Sequence, residues 1–351
     1  MFAATLLAQR LTTRISCKLG RNPGDETIAA EVVIVSPDEM AERPAAFALP
    51  GQMDRVKATP PDTNLPNEMS RIGGGPILHD ATKAMLLRNV QYFDGFIYCH
   101  GARRQQVVRP EPIISGGPVE HIAECSLPAT TVGDQFFGHF LIDDSSAALL
   151  APRFATPRLP RPTLQQTWSH ARPYRDRLGL SAAQIGTARI DRAWVFRDHG
   201  MTADRRARMA ELRRRMRAPG GERQGHGVFI LRSGGQARNL LNEAAIADQL
   251  SREGFEIVDP ARQSVADIAA KLHDAALVCS VEGSAFAHGL LSMAEGAAMV
   301  AIQPPFRFNN PWKDYTDALG MGYGYVVAEG GPTEFSLDVD SLMRTLELAS
   351  V

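Results

Sequence analysis

From Val228 to Leu348, short apolar runs take turns with helix-length amphipathic segments, and no other feature of the chain restricts its fold so tightly. VFIL (Val228–Leu231), FEIV (Phe255–Val258), LVCSV (Leu277–Val281), AMVAI (Ala298–Ile302) and Gly324–Ala328 each read as a strand. Asn242–Arg252, Ser264–Ala275, Ser284–Met293, Asn310–Leu319 and Leu337–Leu348 read as helices. Strands that are apolar throughout have both faces covered. The pattern therefore predicts a parallel sheet with helices on either side, a Rossmann-like domain.

The first half is less regular. Glu31–Val35 is a short strand candidate, and the Pro- and Gly-rich stretch Arg43–Pro76 reads as loop. Met85–Phe93 and Gly95–Cys99, joined at Asp94-Gly95, predict a hairpin, with Arg104–Val108 a further strand. GHFLIDDSSAALLA (residues 138–151) has helical spacing, which sets His139 and Asp143 four residues apart on one face. Between the halves, ADRRARMAELRRRMRAPGGERQ carries an apolar stripe of Met209, Leu212 and Met216. Its arginines, among them Arg205, Arg208 and Arg213, are expected on a solvated interdomain helix, with an anion- or membrane-facing surface as the alternative. The PGG that follows suits a helix stop.

Ligands of an open parallel sheet bind beyond the carboxyl ends of its strands. VCSVEGSAFAHGLLSM (residues 278–293) offers such a place: a strand stops at Glu282, turns through Gly283-Ser284 and resumes as a helix pattern. A helix starting at Ser284 would present free N–H groups to an anion, and Gly283 would admit a phosphate close to the backbone. Glu282 could accept hydrogen bonds from ribose or sugar hydroxyls. The plain alternative is an N-cap serine, a turn glycine and an exposed glutamate. Arg232 ends a strand on the same edge and Arg238 follows it, so two guanidiniums would suit a diphosphate. The competing reading is two surface arginines, Arg238 paired to Glu243. His288 is expected to pack, whereas Phe306, Arg307 and Trp312 in QPPFRFNNPWKDY are candidates to stack on a base or sugar.

Three blocks carry a resemblance: FILRSGGQARNLLNE, GFEIVDPARQSVADIAAKLHDAALVCSVEGSAFAHGLLSM and GHFLIDDSSAALL. Over about residues 133–328 the chain resembles the glycosyltransferase 61 family, which includes plant xylosyltransferases and bacterial polysaccharide-assembly enzymes. Many members carry His-Gly-Ala-Gly-Leu where this chain has Glu282-Gly283-Ser284-Ala285-Phe286, a difference that leaves the donor open. The resemblance implies an α/β, GT-B-like fold: two Rossmann-like domains facing a cleft, an acceptor-side domain over residues 1–185 and a nucleotide-sugar-binding domain over 186–351. It implies an inverting glycosyltransferase with no bound metal and no cofactor beyond its nucleotide-sugar substrate, expected to be UDP-linked. Arg232 and Arg238 would meet the donor phosphates, with Gly283, Ser284 and Glu282 beside them. Inversion in one displacement needs a base; His139, Asp143 and Asp144 are the candidates.

Composition closes off other classes. A formal net charge of -1, with 44% hydrophobic and 22% charged residues, describes an ordinary globular chain without general affinity for nucleic acid. Cys17, Cys99, Cys125 and Cys279 form no C-x-x-C pair, which suits a reduced cytoplasm. The start, MFAATLLAQRLTTRISCK, is too short an apolar stretch to span a bilayer and reads as an amphipathic helix, so the expected location is cytoplasmic with peripheral contact at the inner face of the membrane as an option. The resemblance also implies a glycan acceptor, a lipid-linked precursor being one form. The alternatives are a two-domain sugar-nucleotide epimerase and a non-catalytic nucleotide-binding protein of the same fold. The early G-x-G-x-x-G of a dehydrogenase is lacking.

Overall fold

The structure, a computed structural model, describes residues 2–112, 118–161, 163–217, 225–232 and 238–350. The PGG segment and the loop between Arg232 and Arg238 lie outside them. The chain is mixed α/β and forms two compact units, Met1–Glu39 with His79–Arg208, and Met40–Leu78 with Met209–Val351. The division expected at 185/186 falls inside the first unit, because the strand Thr187–Arg197 is a central member of that unit's sheet.

The first unit begins with helix α1, Phe2–Lys18. Its sheet comprises β1 (Glu31–Ser36), β2 (Thr82–Phe93), β3 (Phe96–Cys99), β4 (Ala102–Gln105), β5 (Val119–Ser126) and β6 (Thr187–Arg197), in the order β4-β3-β2-β6-β5 with β1 also on β2. The expected hairpin is present: Asp94 and Gly95 take φ of 47° and 91°, the left-handed pair that a two-residue turn between twisted strands needs. A second such turn, His100-Gly101, joins β3 to β4. Every pairing in the sheet is antiparallel apart from β5 against β6, so this unit is not the second Rossmann-like domain expected from the resemblance. Alternation along β2 buries Met85, Leu87 and Val90 on one face and Ala84 and Leu86, with Trp194 and Phe196 of β6, on the other.

Helix α2, Ala203–Met216, runs from the last residues of the first unit into the second. Its apolar stripe Met209, Leu212, Met216 is buried as expected. The solvated-helix reading is corrected, because Arg205, Arg208 and Arg213 are also buried, at 2%, 3% and 2% exposure. Arg208 grips Asp198 with Nη1 and Nη2 at 2.8 Å each and Asp204 with Nε at 2.8 Å. Arg213 donates to the carbonyls of Leu290 and, at 2.7 Å, Met293.

In the second unit the strands β7 (Gly227–Ile230), β8 (Glu256–Val258), β9 (Leu277–Val281), β10 (Ala298–Gln303) and β11 (Gly322–Val327) form a wholly parallel sheet in the order β8-β7-β9-β10-β11. Helices α3 (Glu243–Arg252), α4 (Val265–Leu272), α5 (Phe286–Ser292), α6 (Pro311–Ala318) and α7 (Val339–Glu347) connect or follow them. Phe229, Cys279, Val281, Val300, Ile302 and Val326 pack with Ile246 and Leu250 of α3 and Leu342 and Leu346 of α7. On the opposite face α5 comes so close that a Cβ at Gly289 would sit 2.9 Å from Val278 and 3.5 Å from Met299. Both faces are covered, as continuous apolar strands require. The order is that of a doubly wound sheet: the first strand, β7, sends the chain one way to β8 and then the other way to β9. The strand ends flanking that reversal are where such sheets bind ligands.

Candidate functional site

β7 and β9 end side by side at the reversal, and the next residues beyond them are Leu231-Arg232 and Glu282-Gly283. Glu282 is anchored by its own N–H, which donates to the Ile302 carbonyl at 2.9 Å, and its side chain is buried. Three guanidiniums converge on it. Arg238 donates through Nη1 to the Glu282 carbonyl at 2.8 Å and to its Oε2. Arg307 Nε, from the loop after β10, lies 3.6 Å from the same Oε2. Arg232 Nη1 reaches the Glu282 carbonyl at 3.5 Å, while the Arg232 backbone N–H donates to Glu243 Oε1 at 2.8 Å. Glu243 therefore orders the Arg232 backbone, and Arg238 pairs with Glu282 instead.

Gly283 makes the convergence possible. Its φ is 150°, and a Cβ there would stand 2.5 Å from Arg232 Nη1 and 3.4 Å from Arg238 Nη1. No other residue type holds this backbone while leaving room for the guanidiniums. Arg238 itself takes a left-handed φ of 68°, a strained conformation for a non-glycine residue that is found at ligand sites. Burial pulls the Arg232 proton affinity down to about 10, helped by the like charge of Arg238 and opposed by Glu282 and Glu243. Burial likewise pushes Glu282 up, against the pull of Arg238, Arg307 and Arg232. A cluster held so close, with cations outnumbering the carboxylates, is set to take up an anion.

The helix-terminus part of the expectation is corrected. α5 starts at Phe286, not Ser284, and is seven residues long, with no side-chain cap. The N–H groups of Phe286, Ala287 and His288 already donate to the carbonyls of Gly283, Ser284 and Ala285, at 3.3, 3.1 and 3.1 Å. Among the described residues, the N–H groups of Gly283, Ser284 and Ala285 meet no backbone acceptor. The donors at this turn thus precede the helix. His288 is buried, in keeping with a packing role. Trp312 is buried too, against Phe286 and Tyr315 at centroid distances of 5.9 and 5.6 Å, so it is not available to stack on a ligand; Phe306 is exposed.

The other candidates lie in the first unit. The expected helix forms as three consecutive pieces, Phe137–His139, a π-helical turn Phe140–Asp144, and Ser145–Leu150. π-turns of this kind recur at functional sites. His139 Nδ1 and Asp143 Oδ2 are 2.5 Å apart, and Asp143 Oδ1 accepts from the buried Arg205. Burial lowers the His139 proton affinity, but the hydrogen bond and charge of Asp143, with Asp144 behind, outweigh it and leave the imidazole above its ordinary 6.5. Its side chain is 41% exposed. Asp143 thus fixes an imidazole at a surface, with Nδ1 toward the carboxylate.

Asp144 differs from its neighbour. It is buried, and its Oδ1 accepts from Thr130 N–H at 3.2 Å and Thr130 Oγ1 at 2.7 Å. Gln165 Nε2 lies 3.4 Å from its Oδ2. Burial pushes its carboxyl up to about 7, against the Thr130 hydrogen bonds. Gly133 leaves it room, since a Cβ there would stand 2.2 Å from Asp144 Oδ2. Thr130, Gly133 and Gln165 were not singled out by sequence, and Arg205 was placed on a solvated helix face and not beside Asp143. Arg205 alone left a trace, four residues before Met209 on the apolar stripe.

Fold and cluster together define an α/β protein with a preorganised cationic site at the switch point of a doubly wound sheet. Residues 137–300 match the family model described as Glycosyltransferase 61. This stretch of the chain, which holds His139, Asp143, Asp144, Arg232, Arg238 and Glu282 to Ser284, belongs to the glycosyltransferase 61 family, and the family indicates glycosyltransferase activity. Arg307 lies just beyond the match. No curated protein matches the chain.

Proposed function

We propose that the chain is an inverting glycosyltransferase that moves a sugar from a nucleotide-sugar, with UDP the first nucleotide to test, to a hydroxyl of a glycan or polysaccharide precursor. The observation that carries this reading is the meeting of Arg232 and Arg238, from beyond the end of β7, with Arg307, from beyond the end of β10, at the Glu282-Gly283 turn. A nucleoside diphosphate leaves with charge on its phosphate oxygens, and side-chain cations already in place stabilise that charge without reorganisation. Glu282 acts as the fixed post that spaces the guanidiniums, and the Gly283–Ala285 N–H groups add neutral donors. Of the two Rossmann-like domains expected, the second unit is the one that carries this donor reading.

For the base, the geometry favours His139. Asp143 holds Nδ1 as the protonated nitrogen, which leaves Nε2 with its lone pair to take the acceptor proton, while Asp143 is itself committed to His139 and Arg205. Asp144 is buried among its own hydrogen bonds and positions the turn. The buried or half-buried free cysteines suit a reducing, cytoplasmic setting.

A melting screen with UDP, GDP, CMP and dTDP tests the reading. At a ligand concentration of a hundred times Kd, the responsive nucleotide should stabilise the fold by about 2.7 kcal/mol. Arg232→Ala and Arg238→Ala should each lose most of that response, and donor should be consumed only when an acceptor is present. An unchanged response in Arg232→Ala would remove the phosphate role. Conversion of donor alone to its epimer would replace transfer by epimerisation.

A further inference from the structure

We propose that α1 is a membrane-contacting element whose Leu11–Ile15 flank lies among the headgroups of an anionic bilayer. From Arg10 onward, the part of the helix whose side chains are described, it is docked the opposite way round from an ordinary surface helix. Arg10, 7% exposed, points inward: its Nη2 donates to Glu111 Oε1 at 2.7 Å and to the Pro112 carbonyl at 3.1 Å, and its Cζ lies 3.2 Å from the Phe93 ring centroid. Arg14 Nε stands 3.5 Å from Glu111 Oε2, and Cys17 Sγ donates to Asn22 Oδ1 at 3.3 Å. Positions 10, 14 and 17 share one helical face, which is therefore the protein side. On the other flank Leu11 and Ile15, one turn apart, are 47% and 59% exposed, and Leu19 just past the helix is 70% exposed. Leucines are outside and an arginine inside, an arrangement that favours an apolar medium on the outer flank.

Charge selects that medium. The first 24 residues hold Arg10, Arg14, Lys18 and Arg21 and neither Asp nor Glu, in a chain whose 38 basic and 39 acidic residues nearly balance overall. Lys18 and Arg21 are exposed beside Leu19. Exposed apolar side chains with Lys18 and Arg21 nearby in the chain match a negatively charged lipid surface. A second copy of the same helix would set those cations against their own kind. The upstream sequence FAATLLAQ continues the apolar character along the same 17-residue helix. No helix among the described residues is long and apolar enough to cross a membrane, so the contact is one of lying on the surface. The inference does not depend on the transferase reading.

Co-sedimentation of the full chain with vesicles of phosphatidylcholine alone, or with about a third phosphatidylglycerol, tests it. Each cation near an anionic surface contributes about fivefold, so the anionic vesicles should bind at least tenfold more tightly and release the protein in high salt. Leu11→Asp/Ile15→Asp should weaken binding about a hundredfold, and Lys18→Glu/Arg21→Glu should remove the preference for anionic lipid. Both variants should melt with the parent; should the aspartates disturb folding, Leu11→Ser/Ile15→Ser gives the same comparison. Equal binding by parent and apolar-flank variants overturns the proposal. So does self-association abolished by Leu11→Ser/Ile15→Ser in a protein that ignores anionic vesicles.

Discussion

Replacing Asp144 by Asn should stabilise the protein increasingly as pH rises. Burial lifts this carboxyl from 3.8 to about 7. Because the folded value is the higher one, the contribution of neutral Asp144 is complete below pH 3.8 and is lost as pH climbs through about 7, the unfolded chain giving up its proton first. A proton affinity raised that far corresponds to about 4 kcal/mol, of which roughly 2–3 kcal/mol is lost between pH 5 and pH 8. Asn does not titrate. Its Oδ1 can keep the Thr130 N–H and hydroxyl, now at 3.2 and 2.7 Å, and its amide faces Gln165 Nε2, now 3.4 Å from Oδ2, at a cost that pH does not alter. The difference between variant and parent therefore isolates the buried charge. Urea unfolding of both proteins from pH 5 to pH 8.5 should show the variant gaining on the parent by roughly 2–3 kcal/mol, about 6 °C or more in melting temperature for a unit of this size. A difference that is flat with pH, or that moves in the parent's favour toward alkali, would refute the buried-acid assignment.

Two further outcomes follow from the geometry. If His139 is the base, its neutral form is the active one, so kcat should fall as pH drops through a value above 6.5; Asp143→Asn, which withdraws the charge holding that value up, should move the inflection lower and reduce kcat by about a hundredfold or more in a pH–rate profile. Arg213→Leu should cost about 3 kcal/mol in chemical denaturation, since it strips hydrogen bonds from the buried Leu290 and Met293 carbonyls at the end of α5; a loss below about 1 kcal/mol would show that the guanidinium does not cap that helix.

The second unit was largely legible in the sequence. VFIL, LVCSV and AMVAI are apolar at every position or nearly so, and a strand buried on both faces needs that pattern wherever it sits. Ser264 and Asp267 form the capping box that starts α4, a purely local device. The same locality put His139 one helical turn from Asp143, and their hydrogen bond survives even though the turn between them is π-helical. The first unit was harder to read. β6 carries charges at Arg189, Asp191 and Arg192 beside its buried residues, and its partners β2 and β5 come from far back in the chain, so its central place rests on pairings that no local pattern announces.

What residue order determined by itself was the doubly wound unit, the turn at Gly283 and the identities of the arginines near it. Only the folded chain decided where those arginines point. Arg238 and Arg307 are 69 positions apart yet share one carboxylate oxygen of Glu282, and Arg205, Arg208 and Arg213, which composition assigns to water, are buried on acids and carbonyls of other segments. A buried guanidinium is stable only beside acceptors. Such acceptors come from distant parts of the chain, and tertiary structure alone brings them together.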